Sequence, residues 1–349
     1  MTPLGQRLAR EIAATGPLPV ARYMAECLAH YYARRDPLGR GGDFITAPEI
    51  SQVFGELIGL WMADLWMRAG SPAKLRLVEL GPGRGTLMAD LWRAVTRVPG
   101  FHAAASVHFV ETSPTLRREQ AAQVPHAAWH DRLEEVPNDA PLLLIANEFF
   151  DALPIRQFVR TAAGWRERMV AFDDGRFFDA AGPVPVEPLV PASLLSAPVG
   201  TVIEAAPAGS AIAAEIGARL AARGGAALII DYGYVGPATG DTLQAVKAHA
   251  FADPFADPGE ADLTAHVDFA ALRIAAEPAT AWGPVTQGAL LSAFGIAART
   301  EALAARATSE QATLLRSGTT RLIGDDAMGS LFKALALTGG DWPQPAGFA

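Results

Sequence analysis

Residues 75–87 read LRLVELGPGRGTL and are typical of a strand, a tight turn and the start of a helix. The apolar run Leu75–Leu80 predicts a buried strand. Gly81, Gly83 and Gly85 allow positive φ angles and let the backbone pass close to a ligand. The free N–H groups at the start of the following helix then face that ligand. This stretch therefore predicts a ligand site where a strand meets a helix in an α/β protein.

Further apolar segments repeat the alternation of strand and helix. Short buried strands are predicted at Leu75–Leu80, Val107–Val110, Ala128–His130, Leu142–Ala146 and Ala226–Ile230. Continuous apolar runs separated by helices are typical of a parallel sheet that is covered on both faces. The predicted fold class is α/β, with a doubly wound, mostly parallel sheet.

Other parts of the chain depart from this alternation. Residues 1–70 predict an N-terminal helical extension that covers the ligand site, ahead of a main domain at 71–349. Short β-like runs at about 155–202 predict an inserted α+β region with hairpins. The long polar and glycine-rich stretch at about 233–285 predicts a second insertion.

Two local predictions concern helices. Thr46 and Glu49 match a capping box at the start of one long helix that reaches about Met67. The apolar and alanine-rich segment at residues 328–337 predicts a helix near the C-terminus.

Composition excludes several classes of function. The chain of 349 residues has a net charge of −8, which argues against nonspecific nucleic-acid binding. A single cysteine, Cys27, excludes an intramolecular disulfide and a cysteine metal cluster, and the scattered His249 and His266 do not suggest a metal site. No apolar run is as long as the roughly 18 residues of a membrane span, and no secretion signal is evident. We therefore expect a cytoplasmic protein that binds no metal.

The spacing of the glycines indicates the kind of ligand. A dinucleotide site favours G-x-G-x-x-G, whereas the chain has G-x-G-x-G, which disfavours a nicotinamide dehydrogenase. With Glu79 two residues ahead, the turn resembles the first motif of class I S-adenosylmethionine methyltransferases. That resemblance implies that Glu79 faces the methionine part of the cofactor, at its ammonium group. The alternative is a turn with a purely structural role.

Acidic residues follow the next two predicted strands. Glu111, followed by Thr112, is placed to accept hydrogen bonds from the ribose hydroxyls of a nucleotide-like ligand. Asp131 is placed to accept from the adenine amino group. The alternatives are a solvated glutamate at a strand end and an acidic residue of a surface loop.

Residues 147–154 follow the fourth strand, where methyltransferases place groups that face the methyl acceptor. Asn147 is predicted to contact the cofactor. Glu148 and Asp151 could clamp a guanidinium by charge-assisted hydrogen bonds, and one of them could accept a proton. Alternatively, the two carboxylates cap the next helix or form local contacts.

Seven segments in the same order resemble the MidA-type family, which comprises mitochondrial complex I assembly methyltransferases and their bacterial relatives. These segments are residues 42–56, 79–87, 147–154, 231–233, 241–244, 262–269 and 328–333. The resemblance implies a Rossmann-like class I methyltransferase fold. It also implies that S-adenosyl-L-methionine is converted to S-adenosyl-L-homocysteine while an arginine of a partner protein, such as a complex I subunit, is methylated. In the N-terminal segment, Asp43, Thr46, Ser51 or Gln52 could contact the cofactor.

Two other functions remain open at this point. A small-molecule methyltransferase would use the same cofactor site with a closed, apolar acceptor pocket. An assembly or scaffold protein could keep the fold without the chemistry, and it would not bind S-adenosylmethionine.

Overall fold

The structure is a computed structural model that describes residues 1–34, 46–247 and 250–348. Its strands are β1 Leu18–Pro19, β2 Leu75–Leu80, β3 Ala105–Val110, β4 Ala128–His130, β5 Leu142–Asn147, β6 Arg156–Thr161, β7 Gly164–Asp173, β8 Arg176–Pro185, β9 Val202–Ala205, β10 Gly225–Tyr234, β11 Gln244–Lys247, β12 Ala250–Ala252, β13 Asp262–Thr264, β14 Val267–Asp268, β15 Thr280–Thr286 and β16 Phe332–Gly339. Its α-helices are α1 Pro3–Thr15, α2 Val20–Arg34, α3 Ala47–Ile50, α4 Gln52–Arg68, α5 Thr86–Ala94, α6 Phe101–Ala104, α7 Pro114–Gln123, α8 Pro207–Arg223, α9 Phe269–Ala275, α10 Gln287–Ala293, α11 Ile296–Ala304, α12 Ser309–Ile323 and α13 Met328–Leu331.

The chain divides into two compact units. Unit 1 consists of Met1–Phe44, Asp151–Ala211 and Tyr234–Ala271, and unit 2 consists of Ile45–Phe150, Ile212–Gly233 and Leu272–Ala349. Residue 70, where we predicted the end of an N-terminal extension, lies within unit 2. The stretch 155–202, predicted as an insertion, lies in unit 1, as does the greater part of 233–285.

Seven neighbouring strands of the sheet in unit 2 have the order β4-β3-β2-β5-β10-β16-β15. The strands from β4 to β10 are parallel to their neighbours, whereas β16 and β15 are antiparallel. All six residues of β5 are buried, so both faces of this strand are covered. The predicted α/β fold with a mostly parallel sheet is confirmed.

Close packing of two helices supports the turn after β2. A Cβ added to Gly55 of α4 would lie 2.9 Å from the carbonyl oxygen of Leu87 in α5, and one added to Gly59 would lie 2.9 Å from that of Leu91. Only glycine therefore lets the two backbones approach so closely. This contact holds the start of α5, and with it the glycine turn, against the core of unit 2.

The capping box predicted at Thr46 is wrong. Thr46 makes no side-chain capping bond, and the helix ends at Ile50. Extended backbone at Ser51 separates α3 from α4, and the Ser51 hydroxyl caps α4 by accepting a hydrogen bond from the amide of Val53 at 3.3 Å. The carboxylate of Glu49 accepts a hydrogen bond from the Thr86 hydroxyl at 2.6 Å instead of reaching back to Thr46. A tertiary partner has thus replaced the local one.

The helix predicted at residues 328–337 is also largely wrong. Only Met328–Leu331 is helical, and Phe332–Gly339 forms β16. This strand pairs with β10 on one side and β15 on the other. Alanine and leucine favour a helix, but a buried central strand satisfies every backbone group through its two neighbours, and this pairing overrides the local preference.

Unit 1 combines the N-terminal helices α1 and α2 with antiparallel strands. One sheet has the order β1-β7-β6-β9, with β8 paired to β7, and a smaller sheet has the order β12-β11-β13. The hairpins predicted for the first insertion are therefore present as β6, β7 and β8. In the described parts of units 1 and 2, no helix is long and apolar enough to span a membrane.

Candidate functional site

The glycine turn lies at the carboxyl end of β2 in unit 2. Gly81, Gly83 and Gly85 have φ angles of 59°, 53° and 82°, a region that favours glycine. The Gly81 amide donates a hydrogen bond to the carbonyl of Val110 at 3.0 Å, which ties the turn to the end of β3. A Cβ on Gly81 would lie 2.8 Å from Cδ2 of Phe149. The predicted strand, turn and helix are confirmed, and the turn has room only for glycine at its first position.

Glu79 is the last-but-one residue of β2 and is almost completely buried, with 3% of its surface exposed. Its Oε2 atom has no hydrogen-bond partner in the part of the chain that the structure describes. Burial raises the pKa of this carboxyl to about 8. A buried carboxylate is costly unless a positive or hydrogen-donating group is close to it. Glu79 therefore suits a ligand that brings an ammonium group to the turn, as the methionine part of S-adenosylmethionine does.

Glu111 directly follows β3, and hydrogen bonds hold its carboxylate in place. Oε1 accepts from the Ser113 amide at 2.7 Å, and Oε2 accepts from the Gln120 side chain at 3.3 Å. Burial raises the pKa of Glu111, while these two bonds act in the opposite direction. Thr112, the next residue, is exposed. Both oxygens of this carboxylate are thus held by hydrogen bonds at the end of β3, and the contact of Glu111 with ribose stays a prediction.

Gln120 of α7 was missed by the sequence reasoning. It is fully buried and contacts three parts of the site. Its amide nitrogen donates to the carbonyl of Gly83 at 2.7 Å and to Glu111, and its oxygen accepts from the indole N–H of Trp129 at 2.8 Å. Its position in the sequence could have indicated its burial. Gln120 lies four residues after Leu116 and therefore on the same, buried face of α7.

Asp131 follows β4, and its side chain is largely exposed. It forms an ion pair with Arg117, with Nη2 and Oδ1 separated by 2.6 Å. The Arg117 guanidinium also donates to the backbone carbonyl of Glu111 at 2.8 Å through Nε. The structure thus brings the ends of β3 and β4 together through one arginine. The contact of Asp131 with adenine stays a prediction.

Asn147 and Glu148 lie at the carboxyl end of β5. Glu148 has a φ angle of 50°, which is strained for a residue other than glycine. Its Oε1 accepts hydrogen bonds from the Ala47 amide at 2.9 Å and from the Asn147 side-chain nitrogen at 3.1 Å. The buried Oδ1 of Asn147 has no partner among the described residues. This strand end therefore presents oxygen atoms that accept hydrogen bonds.

The loop after Glu148 is held by Asp231, whose contribution was not predicted. One oxygen of the buried Asp231 carboxylate accepts from the amides of Phe149 at 3.2 Å and Phe150 at 3.0 Å. Its other oxygen accepts from the Tyr232 amide at 3.0 Å. These bonds stabilise the turn that keeps Glu148 in its left-handed conformation.

The remaining predicted site residues are divided between the two units. Asp151 belongs to unit 1, where it is buried and its carbonyl accepts from the Ala265 amide at 3.0 Å. Gln52 is exposed and donates to Glu56 at 3.2 Å, and Thr46 is half-buried. Asp43 and His249 lie outside the described residues. Among the residues that are described, no cluster of metal-binding side chains occurs.

Residues 57–285 match the model of the family described as "Putative S-adenosyl-L-methionine-dependent methyltransferase". The chain belongs to this methyltransferase family. The methyltransferase is 41% identical over 373 residues to the "Protein arginine methyltransferase NDUFAF7 homolog, mitochondrial" of Drosophila melanogaster, covering 96% of this chain and 84% of that protein. It is 37% identical over 374 residues to the "Protein arginine methyltransferase NDUFAF7, mitochondrial" of Homo sapiens, covering 97% of this chain and 83% of that protein.

A solved structure has the same fold. The crystal structure of a Burkholderia thailandensis protein bound to S-adenosyl-homocysteine superposes with a TM-score of 0.84 and 29% sequence identity, covering 99% of this chain and 93% of that chain. The methyltransferase therefore has the predicted class I fold, and the predicted cofactor S-adenosylmethionine, with S-adenosylhomocysteine as product, is confirmed. A nicotinamide dehydrogenase and a scaffold without chemistry are excluded.

The predicted cytoplasmic location is wrong. The fly and human relatives are both named as mitochondrial proteins. The prediction relied on the lack of a recognisable leader, but location is read from short address signals by receptors, and the composition of a folded domain does not encode it.

Proposed function

We propose that this methyltransferase transfers a methyl group from S-adenosylmethionine to an arginine nitrogen of a partner protein. The names of the fly and human relatives support this acceptor. The observation that carries the proposal is the set of oxygen acceptors at the end of β5, Asn147 Oδ1 and the Glu148 carboxylate. A guanidinium has five N–H donors and no acceptor, so oxygens of this kind match it.

For the cofactor, we propose that Glu79 binds the ammonium group and that the turn at Gly81, Gly83 and Gly85 passes beneath the ligand. Glu111, with Thr112 beside it, would bind the ribose. Asp131 would accept a hydrogen bond from the adenine amino group. Contacts from Asn147, Thr46 and Gln52 belong to the same proposal. The buried Oε2 of Glu79, which has no hydrogen-bond partner among the described residues, supports the first of these contacts.

We propose that the residues at this end of β5 position the arginine nitrogen for methyl transfer. The sulfonium of S-adenosylmethionine supplies a methyl group that is already activated. Arginine is a poor nucleophile while it is protonated, so the protein must align its nitrogen and receive a proton. We propose that Glu148 performs both tasks, because its carboxylate is held by Ala47 and Asn147. Asp151, in unit 1, stays a prediction from the sequence as a second carboxylate.

The acceptor can be identified directly. Purified protein is incubated with cofactor that carries a labelled methyl group and with a lysate from cells that lack its gene, and labelled peptides are found by mass spectrometry. We expect label on arginine. A subunit of respiratory complex I is the first acceptor to test, because the family that the sequence resembles includes complex I assembly methyltransferases. Label that appears only in small molecules would contradict the proposal.

The identified peptide then tests Glu148. Glu148→Gln is expected to lower the methylation rate by at least about 100-fold, the usual contribution of a general base. Glu134→Gln, which changes an exposed glutamate of unit 2, is the matched control and should keep the wild-type rate. A Glu148→Gln variant with unchanged cofactor affinity and a near wild-type rate would remove Glu148 from the mechanism. The same measurement on Asp151→Asn decides the role of Asp151.

A further inference from the structure

We propose that Gln120 is a positioning residue that holds the carboxylate of Glu111 in the orientation that binds the cofactor's ribose. The inference rests on the proposed role of Glu111 as the ribose partner. No contact between Gln120 and the cofactor is required, because the residue acts through its neighbours.

The arrangement depends on both ends of one amide. The nitrogen of Gln120 directs its two N–H groups to two acceptors, the carbonyl of Gly83 at 2.7 Å and Oε2 of Glu111 at 3.3 Å. The oxygen faces a donor, the indole N–H of Trp129 at 2.8 Å. Glutamine satisfies all three neighbours, whereas glutamate cannot donate to the two acceptors and methionine makes no hydrogen bond of comparable strength.

The three neighbours lie on different elements of the cofactor site. Gly83 is in the turn after β2, Glu111 follows β3, and Trp129 is in β4. Gln120 reaches them from α7, and the close approach is visible at Gly85, where a Cβ would lie 3.4 Å from the Gln120 Cα. One buried side chain thus connects the ends of three strands at which the sequence predicts contacts with the cofactor.

The consequence for Glu111 follows from the hydrogen bonds to its two oxygens. The amide of Ser113 holds Oε1 at 2.7 Å, and Gln120 holds Oε2. Without Gln120 the carboxylate loses this bond at Oε2, and the remaining bonds from the backbone amides of Thr112 and Ser113 restrict its orientation less. Two ribose hydroxyls require a fixed pair of oxygens, so a less restricted carboxylate binds them more weakly. A residue that only filled space in the core would not affect the ribose selectively.

The test measures binding rather than turnover. Calorimetry gives the affinity of the full-length protein for S-adenosylhomocysteine and for its 2′,3′-dideoxy analogue, which lacks both ribose hydroxyls. Gln120→Met is expected to weaken binding of S-adenosylhomocysteine by about tenfold or more and to leave the affinity for the analogue within about twofold. The matched control, Gln123→Met, carries the same change at the exposed end of α7 and should bind both ligands as wild type does.

A second variant, Gln120→Glu, separates the loss of the two donors from a general disturbance of the fold. Gln120→Glu keeps an oxygen for the Trp129 indole but removes both donors and places a negative charge beside Glu111. We expect the indole N–H resonance of Trp129, assigned with Trp129→Phe, to shift in Gln120→Met but to stay close to its wild-type position in Gln120→Glu. Both variants should lose ribose selectivity.

The proposal is overturned if both ligands weaken equally in Gln120→Met and Gln120→Glu, since that result shows a general structural role. It is also overturned if neither ligand is affected. A different result would show that Glu111 does not bind the ribose hydroxyls. In that case the wild-type protein would bind S-adenosylhomocysteine and the dideoxy analogue with equal affinity.

Discussion

The buried carboxyl of Glu79 makes a quantitative prediction about pH. Its pKa is raised from 4.5 to about 8, because the carboxyl is almost completely buried. The pKa in the folded protein lies above the pKa in the unfolded chain. The contribution of Glu79 to the free energy of unfolding is therefore complete below about pH 4.5 and is lost as the pH rises towards 8. At 1.36 kcal/mol per pKa unit, the gap of about 3.5 corresponds to about 5 kcal/mol, of which about 3.5 kcal/mol falls between about pH 5 and pH 8.

Glu79→Gln removes this titration and keeps the shape of the side chain. Without cofactor, the free energy of unfolding of the wild type should therefore fall by about 3.5 kcal/mol relative to Glu79→Gln between about pH 5 and pH 8. Urea titrations at several pH values measure the difference, and all other ionisable groups are common to both proteins. Equal pH dependence of the two proteins would refute the argument, because it would mean that Glu79 titrates as an exposed carboxyl does.

Cofactor binding supplies a second measurement of the same group. At pH 7 a carboxyl with a pKa of about 8 is about nine-tenths protonated, whereas an ammonium partner stabilises the ionised form. Binding of S-adenosylmethionine should therefore release nearly one proton from the wild type and none from this site in Glu79→Gln. Calorimetry in buffers with different ionisation enthalpies counts the protons. No difference between the two proteins would show that Glu79 does not meet the ammonium group.

Three further variants test the surroundings of the site. Gly81→Ala should weaken cofactor binding by at least about tenfold by calorimetry, because its Cβ would lie 2.8 Å from Phe149, whereas Gly70→Ala shares the positive φ but has no neighbour within 4 Å and should bind as wild type does. Asp231→Asn should reduce methylation more than cofactor affinity, since it disturbs the bonds to the loop after β5; a greater loss of affinity would contradict this. Glu56→Gln should lower the free energy of unfolding in urea by about 1–3 kcal/mol, because two arginine side chains pair with this buried carboxylate, and an unchanged value would show that these pairs add nothing.

Local patterns were sufficient wherever neighbouring residues decide the conformation. The apolar strand Leu75–Leu80 and the glycine turn could both be predicted from the sequence. In both segments, side-chain periodicity or positive φ angles act over a few residues. The same patterns placed Glu79 and Glu111 at strand ends.

Features that depend on distant partners could not be predicted in this way. Residues 332–339 became a strand because β10 and β15 pair with them, although their composition favours a helix. The break at Ser51 accompanies the contact of the Ala47 amide with the carboxylate of Glu148, 101 positions away. Nothing in the sequence around Asp231 and Gln120 distinguishes them from other polar residues. Their roles follow from hydrogen bonds to Phe150 and to Gly83, which are distant in the chain.

The sequence by itself determined the type of fold and the place of the cofactor turn, because these follow from short-range periodicity and backbone sterics. Only the tertiary structure decided which polar groups are buried without partners and which side chains orient the others. Burial changes the pKa of Glu79, and hydrogen bonds from three separate elements meet at Gln120. Such effects act through space between residues far apart in the chain, and no local pattern encodes them.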